Sequence, residues 1–312
     1  MAYQLNVPTF LVNNGANTAK PDFVFAPDKI VGCILVPQTM VIEEADIDDI
    51  LTILQAKTLI AGKDRIYPVF RFEEVTDNSE EETVQTLGYG SKTVTKDGKY
   101  DWSFRQVAGG MILQNALRHF NTIAKRVLLV DSNNVIYGTK SLSGGLMGLT
   151  LDFLHAKPFK INDGSNSTIF QLRLALAKPA ELNEDVAFVQ LDVDVENNIL
   201  GIIDLEPVQQ AVVAGKATVG LRLKSDKSSV YDSLDDLLAN AALWSVKKNG
   251  AAVTITTAAK NATTGGWDLS FTGTGEHVIT LKDPTTLAAA NVGGAPDPGF
   301  EASELTVTMP AP

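Results

Sequence analysis

The sequence predicts a mainly β protein of the α+β class, with a first domain over residues 1–210 and a smaller β-domain over residues 211–312. Three observations lead to this prediction. Runs of alternating apolar and polar residues recur through most of the chain, and they are typical of strands buried on one face. Only two longer segments of the first domain have helical periodicity. Around Glu206-Pro207 the pattern changes, and short strands then follow one another at even spacing.

The N-terminal region predicts an arm, a strand and a helix. Pro21, Pro27 and the run NNGAN interrupt the first 30 residues, so we expect an extended arm more than a packed element. A strand is expected at about 30–36. A helix is expected at about 44–60, because acidic residues crowd its first turn, Gly62 follows its end, and its apolar residues are spaced i, i+3, i+4, i+7: Ile47, Ile50, Leu51 and Leu54.

Residues 63–105 have β character. The Asp97-Gly98 pair lies between two alternating arms, 91–96 and 99–105, and this dipeptide is the strongest short-range signal for a hairpin turn. The second arm places three aromatic residues on one face: Tyr100, Trp102 and Phe104. The acidic run EEVTDNSEEE before the first arm predicts a solvated loop.

The rest of the first domain predicts a second helix, a hairpin and further strands. The helix GGMILQNALRHF has one apolar stripe: Leu113, Ala116, Leu117 and Phe120. KRVLLVDSNNVIYGTK predicts a hairpin whose arms are joined by Asp131-Ser132-Asn133-Asn134. Strands are then expected in GLTLDFLHAKPFK, STIFQLRLALAKP and VAFVQLDVDV.

Residues 211–312 predict a small β-sandwich. The run GKATVGLRLKS alternates, a short helix is expected in SLDDLLANAALW, and further short strands are expected in AAVTITTAA, GGWDLSF, HVITL and FEASELTVTMP. Gly and Thr turns separate these strands. Several short strands at regular spacing are typical of an Ig-like sandwich.

Composition and charge narrow the function classes. The chain is 45% hydrophobic and 20% charged, as expected for a globular protein. The start lacks the features of a secretion signal, and no window approaches 18 uninterrupted apolar residues, so we expect a protein folded in the cytoplasm with no membrane contact. Of the net charge of −11, residues 211–312 account for little, with 8 basic and 10 acidic side chains. The acidic first domain repels phosphate backbones, which disfavours tight nucleic-acid binding but allows nucleic acid to slide past.

The residue types that carry catalysis or bind metals form no recognisable constellation. Cys33, the only cysteine, lies in the apolar run KIVGCILVP, which predicts a buried strand thiol. His119, His155 and His277 fall in three separate predicted elements and lack the spacing of metal ligands. The glycine-rich run GGLMG at 144–148 is not followed by Lys-Ser/Thr, so it does not match a phosphate-binding P-loop.

The run LDVDVENN is the strongest candidate for a metal site, because it alternates oxygen-bearing side chains: Asp192, Asp194, Glu196 and Asn198. An EF-hand calcium loop would also need Gly at its sixth position and Glu at its twelfth, where Asn197 and Ile203 stand. A strand with one polar face explains the alternation equally well. We therefore predict no catalytic, cofactor-binding or metal-binding residues, no cofactor and no enzymatic activity.

One resemblance can be stated from the order of elements over residues 85–190: hairpin TVTKDGKYDWSF, helix ILQNALRHF, hairpin RVLLVDSNNVIYG and returning strand STIFQLRLALA. This order resembles the tail-tube fold of tailed bacteriophages, in which two packed sheets flanked by a helix form a hexameric ring and rings stack into a DNA conduit. The C-terminal module ATTGGWDLSFTGTG resembles the Ig-like domains that phage tube and capsid proteins often carry.

The resemblance implies a non-enzymatic virion structural protein, assembled in the host cytoplasm from a tube-like sandwich domain and an Ig-like domain. It implies a tail-tube subunit that assembles with itself into rings, contacts other virion proteins and lets DNA pass without sticking. Two alternatives remain. A capsid or decoration protein is one, although the common phage shell fold needs a long spine helix. A carbohydrate-binding or adhesion module is the other, although Trp102, Trp244 and Trp267 lie in apolar patterns that predict burial.

Assembly is expected to depend on the first domain. The arms of the Asp97-Gly98 hairpin are long for a surface excursion. Residues 1–25 carry many apolar side chains for a solvated tail: Tyr3, Leu5, Phe10, Leu11, Phe23 and Phe25. We therefore predict that these two segments make the contacts between subunits, and that the C-terminal module makes few of them.

Overall fold

A computed structural model describes residues 3–7, 27–106, 110–121, 125–162, 164, 168–290 and 298–311. The chain divides into two compact units, one of residues 1–57 and 62–199, the other of residues 58–61 and 200–312. This division lies upstream of the predicted boundary at 210/211. The reason is that the strand Ile202–Val213, which includes Pro207, pairs along most of its length with Lys216–Leu223 of the second unit.

The first unit is mainly β, as predicted. Its strands are β1 (Leu5–Asn6), β2 (Ile30–Val36), β3 (Val41–Ile42), β4 (Tyr67–Phe70), β5 (Phe72–Asp77), β6 (Thr83–Thr86), β7 (Lys92–Lys96), β8 (Asp101–Gln106), β9 (Arg126–Asp131), β10 (Val135–Lys140), β11 (Leu146–Met147), β12 (Leu149–Ala156), β13 (Phe170–Leu176) and β14 (Val186–Gln190). Its helices are α1 (Ile50–Leu59), α2 (Gly110–Arg118), α3 (Ala180–Asn183) and α4 (Val195–Asn198), with 3₁₀ turns at Glu44–Asp49 and Gly62–Asp64.

Twelve of these strands form one antiparallel sheet. Its main path runs β1-β14-β10-β9-β12-β13-β8-β5; β2 joins β9 to β4, and β11 joins β10 to β3. The apolar run of β9 is buried on both faces of the sheet. Val127 and Leu129 pack in one core, whereas Leu128 and Val130 pack in another. Because successive side chains of a strand point to opposite faces, a strand covered on both faces needs a continuous apolar run.

Both helices predicted for the first domain are present. The first begins as the 3₁₀ turn Glu44–Asp49 and continues as α1, and its residues Ile47, Ile50 and Leu54 are buried. Leu117 of α2 is also buried, but Ala116 is exposed, and the other buried residue of this helix is Gln114. The Gln114 side-chain amide donates hydrogen bonds to the carbonyls of Lys157 (2.5 Å) and Gln171 (3.0 Å).

The predicted hairpin at Asp97-Gly98 is wrong. β7 pairs with β6, and β8 pairs with β5 and β13, so the two arms on either side of this dipeptide belong to different sheets. Burial explains the outcome, because Phe104 of β8 is 1% exposed and packs in the core, whereas Val94, the one apolar residue of Lys92–Lys96, is 48% exposed. The acidic run expected to be a loop is also in part a strand, since β5 extends to Asp77.

Two further predictions for the first domain need correction. The strand VAFVQLDVDV ends at Gln190, and Asp194 instead caps α4 by accepting a hydrogen bond from the Glu196 amide at 3.0 Å. The N-terminal segment was expected to be an unpacked arm, but Leu5 and Asn6 pair with Val189 and Phe188 of β14. Residues 8–26 of the predicted arm lie outside the described residues.

The second unit contains nine described strands in two sheets: β15 (Ile202–Val213), β16 (Lys216–Leu223), β17 (Trp244–Lys248), β18 (Ala251–Val253), β19 (Ile255–Asn261), β20 (Gly266–Phe271), β21 (Gly275–Leu281), β22 (Gly299–Ala302) and β23 (Leu305–Met309). The orders are β19-β20-β16-β15-β22 and β18-β17-β21-β23. The short helix expected in SLDDLLANAALW is α5 (Tyr231–Leu234) followed by 3₁₀ turns at Leu237–Ala239 and Ala241–Leu243; α6 (Pro284–Ala290) was not predicted.

The two sheets of the second unit share one apolar core around a pair of tryptophans. Trp267 of β20 and Trp244 of β17 are 0% and 2% exposed, and their ring centroids are 5.9 Å apart. Each indole donates a hydrogen bond to a backbone carbonyl of the preceding helical segment, Trp244 to Leu238 at 2.9 Å and Trp267 to Asp235 at 3.3 Å. The predicted burial of these two residues is confirmed, whereas Trp102 is only half-buried. Within the described ranges, no helix is both long and apolar enough to cross a membrane.

Candidate functional site

The most distinctive surface feature is the exposed hairpin, formed by β6, β7 and the turn 87–91. It is a two-stranded sheet of its own, and every residue of both strands is exposed. An isolated two-stranded hairpin is at best marginally stable in water, because it has no apolar face to bury. This segment would therefore be stabilised by contact with a further surface.

The exposed hairpin presents apolar side chains to solvent. Val84 and Val94 are directly opposite each other, so they share a face, and they are 51% and 48% exposed. Tyr89, at the tip, is 83% exposed. The tip is ordered by hydrogen bonds from the Leu87 amide to the Ser91 carbonyl (2.7 Å) and from the Gly90 amide to the Leu87 carbonyl (2.8 Å), with Gly90 at a φ of 87°. Aromatic residues such as Tyr are enriched at protein interfaces.

The two segments at the base of the exposed hairpin are paired with each other, between the hairpin and the strands β5 and β8. The Glu80 and Lys99 backbones exchange two hydrogen bonds, of 2.9 and 3.1 Å. Lys96 donates a hydrogen bond to the Glu80 carboxylate at 2.7 Å, and this interaction lowers the pKa of Glu80. A Cβ on Gly98 would lie 2.6 Å from the Glu80 carbonyl oxygen, so the close approach at this point requires glycine. The hairpin thus projects from a defined anchor.

Strand edges near the hairpin are also open. Within the described residues, β6 and β7 pair only with each other, and β5 is the last strand on the path of the main sheet. An open edge presents unpaired backbone N–H and C=O groups, to which another strand can add. This hairpin was not predicted from the sequence, although the Gly88-Tyr89-Gly90 turn between the alternating runs TVQT and KTVTK was its signal.

The four strands β12, β13, β8 and β5 have one apolar and one polar face. Leu154, Leu172, Leu174 and Phe104 pack in the core on one face. The other, which we call the outer face, consists mostly of polar and charged side chains: Glu74, Thr76, Asp101, Ser103, Arg105, Gln171 and Arg173. This alternation is typical of an antiparallel sheet with one face toward the core and one toward solvent.

The cations of the outer face contact neighbouring residues of the same chain. Arg173 forms a bidentate interaction with Asp101, with distances from Nε to the two carboxylate oxygens of 2.7 and 3.0 Å, and the pKa of Arg173 is raised by it. Arg105 lies 3.4 Å from a Glu74 oxygen, and Lys157 donates to the Ser103 hydroxyl at 2.9 Å. These contacts leave fewer donors for an external phosphate group.

The residues considered as catalytic or metal-ligating candidates lie on different elements of the fold. Cys33 lies in β2 with 0% exposure, as predicted, and burial raises the pKa of its thiol to about 12. His119 follows α2 and is exposed, His155 lies in β12, and His277 is fully buried in β21 of the second unit. Among the described residues, no three His, Cys, Asp or Glu side chains are grouped as metal ligands would be.

The acidic run at 192–198 has local structural roles. Asp192 accepts a hydrogen bond of 2.5 Å from the Tyr3 hydroxyl, which holds the pKa of Asp192 below its ordinary value. Glu196 pairs with Arg71 at 2.6 Å. The glycine-rich run 144–148 allows close packing, because a Cβ on Gly145 would lie 2.3 Å from the Ile42 carbonyl oxygen.

No model of a protein family matches the chain, and neither a curated protein nor a solved structure matches it. The function proposed for the chain is therefore derived from its own residues.

Proposed function

We propose that this chain is a non-enzymatic structural subunit of a bacteriophage virion, which assembles with copies of itself into the stacked rings of a tail tube. The observation that carries the proposal is the exposed hairpin. Every residue of its strands is exposed, its tip presents Tyr89, and its base is fixed by the Glu80–Lys99 backbone pair. A projecting, anchored element of this kind suits a contact that is repeated between identical subunits.

The open edge of β5 supports the same proposal. A ring of identical subunits needs a surface on each copy that continues into the next, and strand addition at a sheet edge satisfies backbone groups without a large apolar patch. In the proposed assembly, hexameric rings form in the host cytoplasm and contact other virion proteins.

The outer face of β12, β13, β8 and β5 supports a role in DNA passage. Arg173 and Arg105 each contact a carboxylate of their own chain. Each Lys or Arg that contacts a phosphate adds salt-dependent affinity, so a conduit through which DNA moves requires few free cations. The net negative charge of the first 210 residues also disfavours binding of the DNA phosphates.

The second unit is proposed to be an Ig-like module that decorates the assembly. Two sheets that share a core with two central tryptophans are consistent with this role. Its apolar side chains are largely enclosed in its own core, so it is expected to contribute little to contacts between subunits.

Electron microscopy of the purified chain at high concentration tests the proposal. We expect rings or tubes for the unaltered chain and monomers for the double variant Val84→Asp/Val94→Asp. Val213→Asp is the matched control, because Val213 is 51% exposed, like Val84, but lies in the second unit. Closed shells would contradict the tube and favour a capsid subunit, and monomers of the unaltered chain would contradict self-assembly. Equal assembly of all three chains would exclude the exposed hairpin as the contact.

A further inference from the structure

A second feature of the first unit is a cleft of about 460 Å³, distant in sequence from the exposed hairpin. Its lining comes from the turn 37–39, the 3₁₀ turn Gly62–Asp64, Tyr67, Phe120 and Lys125. The Tyr67 and Phe120 rings form one wall, with their centroids 4.5 Å apart. The cleft therefore combines an aromatic wall with polar and charged groups, as small-molecule sites commonly do.

Lys125 is unusual in this cleft because it is almost fully buried. The residue as a whole is 6% exposed, and its ammonium lies 5.1 Å from the centroid of the Tyr67 ring. Lysine is seldom buried to this extent without a charged partner. An ammonium group has three hydrogen-bond donors. Among the described residues, the Lys125 side chain has no hydrogen bond or ion pair, and its ammonium is not one of the enclosed polar atoms that lack a partner, so it reaches the solvent of the cleft.

The charges around Lys125 favour an anion. The charged groups that line the cleft are Lys63, Lys125 and Asp64, which is a net positive set in a chain of net charge −11. Burial lowers the pKa of Lys125, and the Asp64 carboxylate opposes this effect only in part. An anion bound against the ammonium would accept its hydrogen bonds in place of solvent and would pair with its charge.

We propose that this cleft binds a small oxyanion, with the Lys125 ammonium as the principal donor, Lys63 at the rim, and the Tyr67–Phe120 wall in contact with the body of the ligand. A carboxylate or a phosphate supplies the same oxygen chemistry. An aromatic carboxylate gains the additional wall contact, so it binds more tightly than a bare phosphate. This site is independent of the proposed assembly through the exposed hairpin.

Isothermal titration of the full chain with sodium benzoate and with inorganic phosphate tests the site. We expect both anions to bind, benzoate more tightly, and Lys125→Met to weaken both at least tenfold. Lys247→Met is the matched control, since Lys247 is exposed in the second unit and its loss should leave both affinities unchanged. Equal affinity of the unaltered chain and Lys125→Met, or no binding to the unaltered chain, would overturn the proposal.

The pH dependence of binding to the unaltered chain gives a test that needs no variant. Lys125 attracts the anion only while it is protonated. The affinity for the anion therefore falls as pH rises through the pKa of Lys125. Burial places that pKa below the ordinary value of 10.5, so the loss must begin at a lower pH than for an exposed lysine. Affinity that is constant up to pH 10.5 would exclude Lys125 as the donor.

Discussion

Two hairpins of the first unit have similar turn conformations, but one is buried and the other is exposed. The buried hairpin consists of β9, β10 and the turn 132–134; the exposed hairpin consists of β6, β7 and the turn 87–91. Each turn contains a residue in the left-handed region, Asn134 at a φ of 59° and Gly90 at 87°. The strands of the buried hairpin are almost entirely buried, whereas those of the exposed hairpin are entirely exposed. Turn chemistry alone therefore does not decide whether a hairpin stabilises its own chain or is available to a partner.

The largest expected difference concerns Asp131, at the turn of the buried hairpin. Its carboxylate is 1% exposed and accepts hydrogen bonds from the amides of Asn133 and Val135, both at 2.9 Å, and from the Tyr137 hydroxyl at 2.5 Å. Asp131→Ala removes the acceptor of these three hydrogen bonds, and we expect a loss of about 3 kcal/mol in the free energy of unfolding. Tyr89→Ala, at the other turn, should change it by less than about 0.5 kcal/mol. Urea denaturation of both variants measures this contrast, and equal losses would contradict it.

The second prediction uses one substitution at equivalent positions. Val130 faces Ile136 across the buried hairpin and is 1% exposed, whereas Val94 faces Val84 across the exposed one. Val130→Ala removes buried apolar groups, and we expect it to destabilise the chain by about 2 kcal/mol. Val94→Ala should have an effect within about 0.5 kcal/mol on the dilute chain. Thermal unfolding at low protein concentration measures both; a large effect of Val94→Ala would show that the exposed hairpin packs on its own chain.

The third prediction tests where the turn of the exposed hairpin lies. A Cβ at Gly98 would lie 2.6 Å from the Glu80 carbonyl oxygen, and a Cβ at Gly88 would meet no atom within 4 Å. Gly98→Ala should therefore cost about 1–2 kcal/mol, whereas Gly88→Ala should be nearly neutral. If Gly88→Ala were the more damaging change in chemical denaturation, the assigned geometry of the hairpin base would be wrong.

The smallest expected effect is a local response to pH at the hairpin base. The hydrogen bond from Lys96 holds the pKa of Glu80 below its ordinary value of 4.5. A lowered carboxyl pKa contributes stability above pH 4.5, and this contribution is lost as pH falls through the lower pKa of the folded chain. The protection of the Lys99 amide, which donates to the Glu80 carbonyl, should fall over that range once its exchange rate is divided by the intrinsic rate at each pH. Glu80→Gln should remove the pH dependence, and an unchanged profile in this variant would assign the effect to another group.

The sequence predicted those parts of the fold that depend on local pattern. The apolar run of β2, the run KRVLLVDSNNVIYGTK and the spacing of Ile47, Ile50 and Leu54 predicted a buried strand, a hairpin and a helix, and these are confirmed. The prediction of a hairpin turn at Asp97-Gly98 was wrong because a second turn signal, Gly88-Tyr89-Gly90, lies close to it in the sequence. The choice between them depended on the burial of Phe104 between β5 and β13, which only the assembled sheet determines.

The candidate sites also depend on tertiary contacts that the sequence pattern does not reveal. Tyr67, Phe120 and Lys125 meet in one cleft although they lie on separate elements, and nothing in the sequence around Lys125 predicts that it is buried. The Gly88-Tyr89-Gly90 turn was visible in the sequence, but the full exposure of its strands was not. Burial and exposure of single side chains depend on tertiary contacts, and local propensity does not encode them.

Hydrogen–deuterium exchange as a function of protein concentration tests most directly the claim that the exposed hairpin contacts another copy of the chain. In dilute solution, we expect rapid exchange of backbone amides in residues 83–96 and slow exchange in residues 126–140. At concentrations that favour assembly, protection should rise in residues 83–96, remain unchanged in 126–140, and fail to rise in Val84→Asp/Val94→Asp. Rings or tubes that form while residues 83–96 continue to exchange rapidly would contradict the account.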